Sequence, residues 1–229
     1  ISLGLVGSEM CIRDSLGSTT LGGRLVLYEA MTSNFDLAQT DHLLTTTRAV
    51  RKRLDLERDV PRELIVDCIR IATQAPAGGN VQQWRWLVVD DPALKLGLAD
   101  LYRRAYEPYM AAQRDAVERT GRSDANAIMS SSDHLSEVMH LVPALVIPCY
   151  IGRPTGDMPQ GLLAGLYGSI LPAVWSFMLA ARSRGLGTAW TTLHLGYERE
   201  AAELLGIPEH VSQVALTPVA YHTLSLIHI

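Results

Sequence analysis

From Pro61 onward, apolar and polar positions follow two alternating rhythms. Pro61 opens a stretch in which Leu64, Cys68, Ile69 and Ala72 share one face at helical spacing, and Pro76 ends it. Residues 83–91, QWRWLVVDD, alternate and are rich in aromatic and branched side chains, which predicts a strand ending at the Asp91-Pro92 turn. Leu94, Leu98, Leu101, Tyr102 and Ala105 then recur at helical spacing. Residues 107–140 are mostly polar and read as helical. Residues 144–152, ALVIPCYIG, read as a buried strand whose Pro148 implies an edge or a bulge.

Residues 161–181 carry no charge and are long enough for a membrane span. Their three glycines and Pro172, and the lack of a basic cluster on one flank, argue instead for a helix buried on every side, as in a subunit interface. Arg182 and Arg184 suit the end of that helix and Gly185 its cap. GTAWTTLHL at 187–195 alternates like a strand, EREAAELLGIP at 198–208 reads as a short helix stopped by Gly206, and QVALTPVAY at 213–221 reads as a last strand. Helices and strands interleave without the regular spacing of βαβ units, so the fold class is α+β.

Composition narrows the partners. A formal net charge of -4 and a pI near 6.0, with no large basic cluster, argue against nucleic acid. Cys11, Cys68 and Cys149 are odd in number and far apart, which fits a reducing, cytoplasmic compartment without a disulfide framework. Both ends look foreign to the rest: ISLGLVGSEMCIRDS and LSLIHI resemble translated adapter DNA. A signal peptide is the other reading of the first, but it lacks a basic leading region. The expected organisation is a tail over 1–30, one domain over 31–223 starting near Met31, and a second tail over 224–229.

Phosphate-loop, dinucleotide, zinc-protease and serine-hydrolase motifs are absent from the sequence. His42, His134, His140, His194, His210 and His222 have no ligand spacing, so solvent exposure or a local hydrogen bond is expected of them rather than a metal. Two polar segments flank the first helix. In APAGGNVQQ, Gly78 and Gly79 permit close backbone approach while Asn80 and Gln82 offer amides that could meet a flat heterocycle; the plain alternative is a chain reversal. In TRAVRKR, Arg48 and Arg51 suit a phosphate, and the plain alternative is a solvated basic face.

Taken together, TTRAVRKRL, VPRELIVDCIRIATQAPAGGNVQQWRWLVVDDP, LPAVWSFMLAARSRGLGTAWTTLHL and ELLGIPEHVSQVALTPVAY closely resemble the nitroreductase family, from about Thr45 to Thr223. The resemblance implies an α+β homodimer with an antiparallel-type sheet flanked by helices, long apolar helices between subunits, and FMN at the interface. It implies that Arg48, Ala49 and Arg51 bind the phosphate and ribityl end. Pro76, Ala77, Gly78, Asn80 and Gln82 would approach the ring, directly or across the dimer, and Thr192 and Leu193 would face its reactive nitrogen. Many relatives carry an acidic residue and a glycine at that last turn, and a proline where this chain has Gln83. Relatives commonly continue past PVAY to a basic phosphate ligand, where this sequence turns adapter-like after Thr223.

The implied activity is ping-pong transfer of hydride from NADH or NADPH through the flavin to a small-molecule acceptor such as a nitroaromatic or quinone. The flavin itself does the chemistry, with no side chain assigned as acid or base. The polar segment from Glu107 to Asp133 and the loop GRPTGDMPQG would line the acceptor pocket. A specialised flavin dehydrogenase or dehalogenase of the same family, and a non-catalytic FMN-binding protein, are the alternatives.

Overall fold

The computed structural model describes residues 35–120 and 125–223, so the two expected tails lie outside the described residues. The chain divides into two compact units, one ending at Thr46 and one beginning at Thr47. Within the first, helix α1 (Leu37–Thr46) is started by Asp36, whose carboxylate accepts the Gln39 N–H at 3.0 Å, and it buries no residue.

The second unit holds α2 (Arg62–Ala72), β1 (Trp84–Val89), α3 (Pro92–Thr120), α4 (Ala125–Val138), β2 (Ala144–Ile151), α5 (Gln160–Arg182), β3 (Leu186–Thr188), α6 (Glu198–Leu205), β4 (Val211–Gln213) and β5 (Thr217–Tyr221). The five strands form one antiparallel sheet ordered β1-β2-β5-β3, with β4 also on β2. This is the α+β arrangement expected from the sequence.

β2 is the centre of the core. Its side chains alternate between two faces: Leu145, Ile147 and Cys149 join the cluster built with α3 and α4, whereas Ala144 and Val146 join the cluster built with α2 and α5. Pro148 therefore lies in a central strand, not at an edge. It is tolerated because the neighbour on that side changes there. β5 pairs with Ala144 to Val146, β4 pairs with Cys149 to Ile151, and between them the Pro148 carbonyl accepts the Val214 N–H at 3.0 Å. The missing proline donor falls where no ladder bond is required.

The helices depart from expectation in extent. Asp91 caps α3 by accepting the Ala93 and Leu94 amides, both at 2.9 Å, and the helix then runs 29 residues straight through Pro108. Its buried face continues past Ala105 through Tyr106 and Met110, with the Tyr102 and Tyr106 rings stacked at 5.9 Å. The Tyr106 hydroxyl and Arg114 both donate to Asp133 on α4, at 2.7 and 2.9 Å, and tie the two polar helices together.

The predicted strands at 187–195 and 213–221 are shorter than their alternation suggested. β3 ends at Thr188, and the chain goes on through a single bridge between Thr191 and Leu216 into a 3-10 turn, Leu193–Tyr197. The last segment splits into β4 and β5 around that same bridge. α6 ends as expected, with Gly206 in the left-handed conformation (φ 65°).

One close approach holds the segment ahead of α2 against the sheet. The Val50 N–H donates to the Thr188 carbonyl at 2.8 Å, and a Cβ on Gly187 would lie 3.0 Å from the Val50 Cβ. Gly187→Ala is expected to destabilise the protein by roughly 1–3 kcal/mol, because the opposing Cβ is fixed to backbone and must be displaced. A urea titration of wild type and variant measures this, and an unchanged midpoint would contradict it.

Candidate functional site

The basic segment sits along the outer edge of β3. Val50 and Leu54 are buried and anchor it, and Leu54 bridges to His222 while Asp55 N–H donates to the Tyr221 carbonyl at 2.7 Å. Ahead of Val50, Arg48 and Ala49 are exposed, and between the two anchors Arg51 is half-buried. The Lys52 ammonium donates to the Ser130 hydroxyl on α4 at 2.7 Å, and Arg51 approaches Ser131 at 3.4 Å. The cations are thus displayed by a short loop held down by the buried Thr47, Val50 and Leu54.

The glycine loop is attached elsewhere, to α5. Gly78–Asn80 form a single 3-10 turn with Gly79 at φ 59° and Asn80 at φ 54°. Asn80 is the one positive-φ residue other than glycine among the described residues, a conformation that asparagine tolerates better than most. The Gly78 N–H donates to the Ser169 hydroxyl at 2.9 Å, and that hydroxyl donates to the Gly165 carbonyl at 2.6 Å. Pro76, Gly78 and Asn80 are exposed, while Ala77 and Gln82 are half-buried. The Gln82 amide reaches only the Asn80 side chain, at 3.4 Å.

The third element is the turn after β3. Thr191 is pinned by a reciprocal pair of backbone bonds to Leu216, at 3.0 and 2.8 Å, and by its own hydroxyl on the Leu216 carbonyl at 2.7 Å. Thr192 then stands exposed and Leu193 packs half-buried against the main core cluster. The basic segment and Thr192 are therefore connected through a single short strand. The glycine loop joins them through α5 and through the cluster of Trp84, Ile170, Ala173, Val174 and Val214, against which both Ala77 and Trp190 pack. Within one chain the candidate residues form two groups, one on the β3 edge and one on the α5 face.

That α5 face is the other finding. The helix buries nine residues, from Leu166 to Ala181, yet its opposite side is bare: Leu162 is 63% and Trp175 41% exposed. A Cβ placed on Gly161, Gly165 or Gly168 would meet nothing within 4 Å. The expectation of burial on every side is met on one side only within the chain.

Sequence reasoning missed Ser169 and His194. Ser169 looked like one more small residue of an uncharged helix, and its role depends on a loop 91 positions away. Solvent exposure or a local hydrogen bond was expected of His194, but it is 0% exposed, and neither ring nitrogen has a partner at hydrogen-bond geometry, although the Gln213 side chain is near enough to influence it. Beside it Glu198 forms a two-pronged ion pair with Arg153 at 2.8 and 3.3 Å. The Gln213 amide donates to the Glu198 carbonyl at 3.0 Å, and its own Oε1 is without a partner.

Electrostatics around this group follow from burial. Loss of water pushes the His194 imidazole down to about 4, outweighing the opposing influence of Glu198 and Gln213. Burial also raises the Glu198 carboxyl, but the Arg153 hydrogen bonds and charge outweigh it and hold it below the ordinary carboxylate range. The Cys149 thiol, opposite Gln213 across the β2-β4 ladder, is pushed up to about 12 by burial and is not a nucleophile. No group of three metal-ligating side chains occurs among the described residues.

Ser169→Ala removes the sole side-chain anchor found for the Gly78 amide, and about 1 kcal/mol of stability is expected to go with it. Hydrogen exchange should quicken at Gly78 to Asn80 while β2 stays protected. A pH dependence follows from His194. Its folded value is depressed, so the stability it contributes is complete above its ordinary value near 6.5 and is lost as pH falls toward about 4. The loss over that window is roughly 3 kcal/mol. Urea midpoints at pH 7.5 and 4.5 should differ more for wild type than for His194→Leu; equal differences would refute the assignment.

Comparison with known proteins gives a consistent result. The sequence profile described as the Nitroreductase family matches residues 44–221. Iodotyrosine deiodinase 1 of Mus musculus is 26% identical over 183 residues, covering 78% of this chain but 60% of that protein, so the chain spans under two thirds of that relative's length. A crystal structure of oxidized iodotyrosine deiodinase bound to FMN and 3-iodo-L-tyrosine matches with a TM-score of 0.61 at 21% identity, covering 79% of this chain and 88% of that one. A nitroreductase-like family protein from Bacillus cereus matches with a TM-score of 0.57 at 20% identity, covering 80% and 86%. The matched span covers most of the sequence, and the chain belongs to the nitroreductase family.

Proposed function

We propose that the chain is an FMN-dependent oxidoreductase that acts as a homodimer and passes reducing equivalents from NADH or NADPH to a small acceptor such as a nitroaromatic or quinone. The observation that carries this reading is the joining of the Arg48 to Arg51 segment and the Thr192 turn through β3, with the Val50 N–H on Thr188 at its centre. A cationic, phosphate-type element and an exposed turn suited to a ring thus lie along one strand.

The residues fit the cofactor. Arg48 and Arg51 supply charge for a phosphate dianion and for the pyrimidine edge of the ring, respectively. Asn80 and Gln82 supply amide donors and acceptors, with little internal hydrogen bonding to give up beyond the 3.4 Å contact between them. Gly78 and Gly79 leave the backbone open to a flat ring, and the Ser169 anchor fixes that backbone to α5. Since the loop projects from the same helix as the bare glycine face, we infer that it serves the flavin of a second copy, with Leu162 and Trp175 buried between the subunits. FMN, when bound, supplies the redox chemistry; the protein supplies position, charge and exclusion of water.

A second reading is a flavin dehalogenase acting on one halogenated aromatic, favoured by the similarity to the mouse deiodinase over 183 residues. The two are separable by what the reduced protein consumes.

Purified protein is expected to be a yellow dimer that bleaches under anaerobic NADH or NADPH and recovers on adding a nitroaromatic. Bleaching by dithionite alone, with turnover of an iodinated phenol, would favour the second reading. A colourless protein that cannot be reconstituted would sink both. Asn80→Gly keeps a residue that accepts φ 54° and removes only the amide, so it should leave thermal stability within a few degrees and weaken FMN binding about tenfold.

A further inference from the structure

Thr192 is exposed, and of the two turn residues only Leu193 packs against the core. The chain here is a single 3-10 turn, Leu193–Tyr197, whose N-cap residue Thr192 has no side-chain cap bond, and the regular strand has already ended at Thr188. Its N-terminal side is clamped by Thr191 on Leu216. Its outer side rests on α3, where a Cβ placed on Gly196 would lie 3.7 Å from the Ala105 Cβ and the Arg104 guanidinium lies 4.0 Å from the Tyr197 ring centroid. The remaining side is a buried polar group that none of the assigned cofactor contacts uses.

That group is His194, two residues beyond Thr192. Four residues on, Glu198 starts α6 and its carbonyl holds the Gln213 amide; the Gln213 side chain lies near enough to the imidazole to favour its protonated form, and three atoms lack a geometric partner: both ring nitrogens and the Gln213 Oε1. A neutral imidazole has one N–H to give and an amide oxygen takes one, so these orphans complement each other. Glu198 cannot drift, because Arg153 grips both its oxygens and also donates to the Glu209 and Val211 carbonyls, each at 2.9 Å. Gln213 cannot drift either, since its amide nitrogen is held by the Glu198 carbonyl. Leaving a buried donor or acceptor unmatched costs more than the bond itself contributes, so the pairing strongly selects one conformation of the turn.

We propose that His194 is a positioning residue. Its N–H donates to the Gln213 Oε1, and this latch, braced by the Arg153-Glu198 pair, sets the turn that presents Thr192 and Leu193 to the ring. The orientation at the ring rests on the FMN reading above; the latch itself is a property of the chain alone. His194 does not touch the reacting atoms and takes no part in proton transfer. Its low basicity follows from the same burial and keeps it neutral, with a single N–H, at physiological pH.

The test uses full-length protein with and without FMN, comparing wild type with His194→Leu, which is close in volume but cannot hydrogen-bond, and His194→Asn, which can. Leu135→Ala on α4 serves as a destabilised control remote from the turn. Hydrogen exchange of the flavin-free protein over residues 191–197 should quicken about tenfold in His194→Leu, return toward wild type in His194→Asn, and stay unchanged in the control. With FMN present, the dissociation constant should rise by a similar factor in His194→Leu alone.

Exchange at 191–197 indistinguishable from wild type in His194→Leu, or equally raised by Leu135→Ala, overturns the proposal. Wild type that binds no FMN overturns the cofactor reading, while the exchange arm still decides the latch. If His194→Leu does not fold, Gln213→Ala removes the other partner and carries the same expectation.

Discussion

The fold depends on a strand that must be covered on both faces. β2 has no polar side to offer water: Leu145, Ile147 and Cys149 point one way, Ala144 and Val146 the other, and all five are buried. Each large aliphatic side chain taken out of water contributes about 1.5–3 kcal/mol, so the strand can be stable only between two layers. α3 and α4 supply one, α2 and α5 the other. The same strand carries β1 on one flank and both β4 and β5 on the other, which makes the local change of partner at Pro148 a structural necessity.

The candidate site grows from the places where that regularity lapses. Where β4 and β5 separate, Val214 to Leu216 leave the ladder and Leu216 turns to Thr191 instead, so β3 stops early and the Thr192 turn begins. Where β3 stops, Gly187 lets the basic segment come close enough for Val50 to bond Thr188, so the arginines stand beside the turn. Where α5 turns its glycines outward, the Gly78 loop gains a support in Ser169. Functional elements sit on irregular backbone because only there are donors, acceptors and side chains left unused by the sheet.

The polar groups buried near the turn have a different logic. An Arg153-Glu198 pair so largely removed from water contributes little net stability, since desolvation offsets much of its attraction. Its value is directional. Arg153 makes four hydrogen bonds to three residues, which fixes the α6 start relative to β4 and, with it, the chain that leads back through His194 to Thr192.

Much of the architecture was legible in the order of residues, because it is local. Apolar spacing located α2 and the first part of α3, an uncharged run located α5, alternation located β1, a continuous apolar run located β2, and Gly206 marked the end of α6. The resemblance carried by APAGGN, GLGTAW and PVAY named the family from residues alone, and the matched span from 44 to 221 agrees with it. What could not be read depends on contacts between distant segments. GTAWTTLHL alternates in sequence, yet Gly187, Thr188 and Ala189 are buried in succession and the strand ends before Leu216, 25 residues on, pairs with Thr191. His194 looked like an isolated histidine because Gln213, whose side chain influences it, lies 19 residues further on, in β4. Periodicity encodes which side of an element is covered; it does not encode what covers it, and that is settled only when hydrogen-bond donors and acceptors far apart in the chain must be matched inside a medium without water.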